Sequence, residues 1–437
     1  KVATCFELVV PAKMLRALIP LAIWSSLPAS ARASFDAYLR QFGKSYSPEE
    51  YRSRKAVFEQ RVSEIERQNG RLDATWVAGL NDMTDWLPTE LVQRRGYNKR
   101  RRQADPAAVE RQVAAMSKVA SSLELPDDLD WREYKPSVVT AVKSQGGCGT
   151  SWAFSAAETI ESHVALNTGI LTELSPEHLA TCAPLQDEPC NSSAGGCSGA
   201  TPQLAFSYSR EVGLDSATER PPTSGGIGGV QLGAGACGDD DEGEADIGIA
   251  GYEALPANDA QELALALATV GPISVSVDAS SWHVYNGGIF DACNRSSPDV
   301  NHAVQLVGFG QDKGTKYWLV RNSWGPSWGE GGYIRLKRHD IEPCGTGAAP
   351  SGRGDDEGCE GTPKKTQVCG ECGLLWDASY PTGDTDDGCA SSASSSASAS
   401  ASASTLSAAE SAAEDTDSAA ESAAPSLSAT MRHRLMK

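Results

Sequence analysis

The stretch Gln145-Gly-Gly-Cys-Gly-Thr-Ser-Trp-Ala-Phe-Ser-Ala-Ala-Glu158 constrains this chain more than any other. It runs from a glycine-rich turn straight into a helix, so the side chain at position 151 stands at a helix N-terminus. The positive end of a helix dipole stabilises an anion, and a thiol placed there would be acidified. Position 151 carries a serine, whose oxygen stands where that chemistry calls for sulfur. Far downstream are Asn301-His302-Ala303-Val304 and Arg321-Asn322-Ser323-Trp324-Gly325, each in a strand-like context. A base needs a third group to orient it, and His302 with Asn322 supplies such a pair.

With 437 residues and 40% apolar content, the chain can bury one large core or two ordinary ones. The formal charge of −19 argues against nucleic acid, whose binding requires Lys and Arg to replace phosphate counterions. Part of the acid is local, and Asp239–Glu242 and Asp355–Glu357 read as solvated loops. Met14, Arg16, the apolar run Leu18–Trp24 and the small residues near Ala29–Ala33 form the series of a cleaved signal peptide, with residues 1–13 an upstream extension. That run is too short for a membrane span, and no later segment approaches about 20 apolar residues. Secretion would place the twelve cysteines in an oxidising compartment, as disulfides and not metal ligands. The sequons Asn191-Ser192-Ser193 and Asn294-Arg295-Ser296 fit the same route.

Five segments follow from texture. Residues 1–33 are the extension and signal. Residues 34–97 are charged and helical in rhythm, with Tyr38, Phe42, Tyr46, Val57, Phe58 and Ile65 interrupting the charge, which predicts two helices between Phe35 and Asn69. Residues 98–122 open with Asn-Lys-Arg-Arg-Arg-Gln and read as an exposed, protease-sensitive linker. Residues 123–383 are rich in Trp, Gly, Cys and apolar strands. Residues 384–437 are mostly Ser, Ala, Glu, Asp and Thr, too polar and simple to pack, so a disordered tail is expected.

From Phe35 to Pro381 the chain resembles the papain-like cysteine peptidases. Around the nucleophile that family carries Q-G-x-C-G-S-C-W; Gln145, Cys148, Gly149 and Trp152 match, whereas Thr150 and Ser151 depart. The resemblance implies His302 as general base, Asn322 as its orienting partner, Trp324 as their shield and Gln145 as oxyanion donor. The segment 34–97 resembles the family's inhibitory prodomain through Glu50, Arg54, Phe58, Arg61, Ile65 and Asn69, with Arg61 where the pattern has Asn. A second signature is Gly79-x-Asn81-x-Met83-x-Asp85, with Met in the aromatic place. The fold implied is α+β: a helical left domain carrying 151, a β-barrel-like right domain carrying 302 and 322, and a cleft between them, preceded by the prodomain.

The same resemblance implies disulfides Cys148–Cys197, Cys182–Cys237 and Cys293–Cys372. It leaves Cys190, Cys344, Cys359, Cys369 and Cys389 without assigned partners. In the cleft it implies that Ser198, Gly199 and Ala200 hold an extended peptide through backbone groups. The pocket for the residue two before the scissile bond would be lined by Thr201, Pro202, Ser276 and Ala303, with Asp377 at its base and a tolerance of Arg or Lys. The partners expected are a peptide or protein in the cleft and the chain's own prodomain, which would run against the direction of substrate. A monomer is expected, without cofactor or metal, destined for the exterior or a lysosome-like vacuole.

Serine decides the activity expected. A cysteine in such a setting falls from a pKa of about 8.5 to roughly 3–4 and waits as a thiolate, which serine cannot do. The reading favoured is therefore a weakly active or inactive pseudopeptidase that keeps its peptide-binding cleft. Two alternatives stand beside it. One is a working Ser-His-Asn hydrolase or condensing catalyst like the silicateins, which carry Ser at this place. The other is an ordinary cysteine-type endopeptidase, one base change removed from the sequence as written.

Overall fold

In the computed structural model, residues 34–97, 125–183, 195–221, 247–348 and 365–383 are described. The expected signal segment, the 98–122 linker, the acidic tail, the sequon at Asn191, and Cys190, Cys237, Cys359 and Cys389 lie outside them.

The amino-terminal region folds as a helical hairpin, α1 (Phe35–Phe42) and α2 (Pro48–Asn69). Each helix starts on a serine whose hydroxyl accepts an orphan N–H: Ser34 from Ala37, and Ser47 from Glu50 with Pro48 at the first turn. Phe35, Tyr38 and Phe58 form the small core between them, with ring centroids 4.8–6.0 Å apart. The buried Asp85 gathers Tyr38 Oη (2.9 Å), Tyr46 Oη (2.7 Å) and Lys44 Nζ (2.5 Å). Arg61, the departure from the prodomain pattern, points inward and donates to the carbonyls of Met83 (2.7 Å) and Trp86 (2.8 Å), pinning α2 to the second signature.

Strand β1 (Trp76–Ala78) then pairs antiparallel with β5 (Tyr285–Phe290), so this region adds a strand to the sheet of the following domain. Asn69 clamps β1 by bonding both the N–H and the C=O of Ala78 at 2.9 Å. The short α3 (Pro88–Gln93) follows, capped when Glu90 accepts the Leu87 N–H, and Glu90 also takes a forked bond from Arg54.

The remaining chain packs in two halves. One is helical: α4 (Ser151–Thr168), α5 (Pro176–Cys182) and α6 (Pro202–Glu211), around Trp152, Phe154, Ile160, Leu179, Phe206 and Leu214. The other contains α7 (Ala260–Thr269) and a mixed nine-stranded sheet of order β1-β5-β8-β7-β6-β4-β11-β3, with β2 (Leu129–Asp130) joining β6. Its further strands are β3 (Gly251–Ala254), β4 (Ile273–Val277), β6 (His302–Asp312), β7 (Thr315–Arg321), β8 (Tyr333–Lys337) and β11 (Ala378–Thr382). Trp282, Trp318, Trp328, Phe290 and Phe309 fill that half. Helix α4 is buried along almost its whole length because it is the wall between the halves, which explains its run of Ala, Ser and Thr where a surface helix would alternate with charge.

Cys148 is bonded to Cys197, and Cys293 to Cys372. Cys182 is also in a disulfide. Cys344 and Cys369 face each other across a small hairpin, β9 (Cys344–Ala348) with β10 (Lys365–Cys369), and are bonded. Among the described residues no helix is long and apolar enough to cross a membrane.

Candidate active site

Ser151 is the first residue of α4, at the end of a turn that Cys148–Cys197 ties to the loop 195–199. His302 is the first residue of β6, and Asn322 follows directly on β7, its antiparallel neighbour. The β6–β7 ladder therefore sets the spacing between His302 and Asn322, and the packing of α4 on β6 brings position 151 to them. His302 Nε2 lies 2.8 Å from Asn322 Oδ1. The same oxygen accepts the Ser323 N–H at 2.9 Å, which fixes the amide with oxygen toward the ring. His302 consequently carries its proton on Nε2 and keeps a lone pair on Nδ1, the form a general base needs.

That lone pair has no partner: His302 Nδ1 is buried and accepts no hydrogen bond. Ser151 Oγ instead accepts two backbone N–H groups, from Ala303 and from Gly96, both at 3.2 Å. Burial pushes the His302 imidazolium down to about 3, and the nearby charges of Arg94 and Arg95 push the same way against the Asn322 bond. Trp324 lies against the ring, centroids 5.1 Å apart, with Trp282 edge-on at 6.2 Å.

Gln145 Nε2 donates to Arg94 O at 2.8 Å and Cys148 O at 2.7 Å, while Ser323 Oγ donates to Gln145 Oε1 at 2.6 Å and holds the amide in that sense. A carbonyl of the amino-terminal region thus sits on the amide that the resemblance assigns to an oxyanion. The Arg94 side chain is buried between the rings of Trp86 (5.0 Å) and Trp324 (5.1 Å), without a carboxylate partner in its hydrogen bonds, and burial lowers it to about 10. Gly96 passes so close that a Cβ there would lie 2.2 Å from Gly149 O.

The segment then pairs with the loop wall. Ala200 N donates to Gly96 O at 3.0 Å, in a parallel bridge between Tyr97 and Ala200. Gly199 turns the chain at φ 89° and Ser198 is exposed. Thr201 and Pro202 open α6, the threonine hydroxyl capping Leu204 N. Tyr97 fills the neighbouring pocket beside Ala303, and its hydroxyl donates to Asp377 Oδ2 at 2.7 Å. Ser276 Oγ and Gln203 Nε2 also reach the Asp377 carboxylate, at 3.4 and 3.2 Å. Ser151, His302, Asn322, Gln145, Trp324, Ala200, Ala303, Ser276 and Asp377 meet around this segment, whereas Ser198 stands exposed on the loop. The sequence reading missed the occupants Arg94, Gly96 and Tyr97, and the orienting Ser323. The one available signal for the first three was a glycine between two large side chains, Arg95-Gly96-Tyr97, shortly before the basic run at Lys99.

The profile described as Papain family cysteine protease matches residues 125–353, more than half of the chain. The chain belongs to the papain family. Residues 35–91 match the Cathepsin propeptide inhibitor domain (I29), and the segment in the cleft continues directly from them, so this chain's own propeptide region is bound in cis. Among relatives, the chain is 34% identical to a cathepsin L-like protein of Caenorhabditis elegans over 331 residues, 74% of this chain and 91% of that one. It is 31% identical to fruit bromelain of Ananas comosus over 345 residues, 75% and 90% of the two. Among solved structures it is similar to digestive procathepsin L 3 of Tenebrio molitor larval midgut, with a TM-score of 0.59, 30% identity and coverage of 79% and 97%. A recombinant stem bromelain precursor gives 0.59, 29%, 80% and 98%. The chain is thus a cathepsin L-like papain homologue with a propeptide.

Proposed function

We propose that this protein is a secretory-pathway pseudopeptidase: a zymogen whose cleft binds peptides once the propeptide leaves, but which hydrolyses them slowly or not at all. The observation that carries the reading is at Ser151. Its oxygen accepts two backbone N–H groups while the His302 lone pair stands unused, so nothing draws the hydroxyl proton toward its base. A thiol would already be ionised before substrate arrived; a hydroxyl must lose its proton during attack, to a histidine that makes no bond to it. Gln145, His302 and Asn322 would then serve mainly to hold a peptide carbonyl and shape the floor of the cleft.

One backbone and one side-chain feature favour peptide binding. Ala200 N already pairs with an extended chain, and the adjacent pocket ends in a carboxylate that accepts a hydroxyl from Tyr97. A cationic side chain reaching Asp377 would replace a neutral hydroxyl donor with a charged one and add a direct ion-pair attraction to the carboxylate. The test is equilibrium binding of an extended-peptide library to the processed chain. Peptides with Arg or Lys two residues before the bond held at Ser151 should bind several-fold tighter than those with Leu, and Asp377→Asn should erase that difference. A profile restricted to bulky apolar residues in that place, or no binding at all, would contradict the reading.

A further inference from the structure

Helix α4 and the strand leading to Asn322 are joined by charges that no water reaches. Glu158 stands two turns below Ser151 on α4, and Arg321 directly precedes Asn322; their side chains are 1% and 0% exposed, and Arg321 Nη2 lies 3.3 Å from Glu158 Oε1. The Arg321 guanidinium also donates to Gln305 Oε1 (3.2 Å), Thr140 Oγ1 (3.0 Å) and the carbonyl of Ala141. Gln305, the residue opposite Arg321 in the β6–β7 ladder, donates back to the Glu158 carbonyl (2.8 Å) and Ser162 Oγ (3.0 Å). One guanidinium therefore ties together α4, β6, β7 and the segment that leads into Gln145. Glu158 Oε1 accepts no hydrogen bond, so its contact with Arg321 is electrostatic.

We propose that Glu158 is a positioning residue for the His302–Asn322 pair: its carboxylate holds Arg321 against α4, and Arg321 fixes the backbone from which Asn322 reaches His302 Nε2. The inference rests on the reading of this site as a retained peptidase centre. Removing the carboxylate would leave a buried guanidinium short of its counter-charge, a large local cost that the backbone at 321–322 can relieve by moving.

The surroundings make this pair titratable. Burial raises Glu158 to about 7, against the opposing pull of Arg321 and Lys143 and with the help of Glu161 and Glu173. Lys143, on the segment before Gln145, is itself committed to Glu161 (2.8 and 3.0 Å) and reaches Glu173 at 3.5 Å. Tyr333 on β8 also feels the Glu158 charge. Three carboxylates thus share two cations, and Glu158 takes up a proton as pH falls through about 7. Above that pH the ion pair is complete; below it the hold on Arg321 weakens.

The test follows the His302 Nε2–H resonance by NMR in the full chain with labelled histidine, between about pH 5.5 and 8.5, for the unaltered protein and Glu158→Gln. The expected result is a step in that resonance near pH 7 in the unaltered chain, absent in Glu158→Gln, which keeps the low-pH position throughout. In a processed Ser151→Cys background, Glu158→Gln should lower kcat about tenfold with KM within about twofold, the split expected when an orienting group is loosened. A resonance that titrates alike in both proteins, or a kcat that does not change, overturns the proposal. If Ser151→Cys hydrolyses nothing, the reading of the site fails, whereas the resonance still judges Glu158. If Glu158→Gln does not fold, a flat titration in the unaltered chain is sufficient to refute it.

Discussion

At position 151 a single atom separates two ionisation regimes. A thiol beside an imidazole at a helix N-terminus gives up its proton in the ground state, and a hydroxyl does not. The histidine is held in a state that deepens the contrast, since burial and the Arg94 and Arg95 charges keep it neutral far below its ordinary range. The sign of the resulting pH dependence follows directly. Between about 6.5 and 3 the unfolded chain binds a proton that folded His302 refuses, so stability conferred by the closed proform falls as pH drops through that window. His163, buried against Tyr380 and lowered to about 4 by burial, acts in the same direction. Glu158, raised to about 7 by burial, acts the other way, because its folded form takes up a proton before the unfolded chain does. We therefore predict that the melting temperature of the proform declines more steeply from pH 6.5 to 5 in Glu158→Gln than in the unaltered chain. Removal of the propeptide, which takes away Arg94 and Arg95 and opens the ring to water, should raise the His302 pKa toward 6.5 in an NMR titration. A His302 pKa equal in both forms would show that the propeptide does not set it.

At the scale of elements, the propeptide works as an extended strand that the catalytic half has been shaped to accept. Its backbone supplies the carbonyl on Gln145, the N–H on Ser151 and the rung to Ala200, while Arg94, Arg95 and Tyr97 contribute side chains, Arg95 through Ser280 Oγ at 3.1 Å. Gly96 is the point of closest approach, so Gly96→Ala should lift the segment from the turn, since its methyl would lie 2.2 Å from Gly149 O. The full-length variant should then bind a cleft-directed peptide that the unaltered proform excludes, measurable by fluorescence anisotropy; equal exclusion by both would sink the idea. Much of this level was readable in the sequence. The apolar rhythm marked α1 and α2, and the glycine turn before Ser151 marked the start of α4. The identity of the strand in the cleft was not readable, because Arg94, Gly96 and Tyr97 carry no periodicity and acquire their roles only through contacts with residues fifty to nearly three hundred positions away. Arg61 is similar: its partners are two carbonyls, which no side-chain pattern announces. The bond between Cys344 and Cys369 was left open for a different reason, since cysteine spacing in an insertion does not fix pairing and the hairpin register does.

Over the whole molecule, the architecture is that of a peptidase precursor with its parts in place: two halves, a cleft, a propeptide lying through it and a disulfide holding the 145–151 turn to the loop 195–199 of the same half. What differs is local and chemical. In an unrelated serine peptidase, loss of the nucleophile costs about 10⁶ in turnover, while the oxyanion hole and binding keep roughly 10³–10⁴ over water. A serine in a site spaced for sulfur should lie near the lower of these limits. The most direct measurement is hydrolysis of a fluorogenic dipeptide panel by three processed proteins: the unaltered chain, Ser151→Ala and Ser151→Cys. The account predicts that the unaltered chain matches Ser151→Ala and that Ser151→Cys exceeds both by orders of magnitude. A rate for the unaltered chain clearly above that of Ser151→Ala would make Ser151 a working nucleophile and contradict the account.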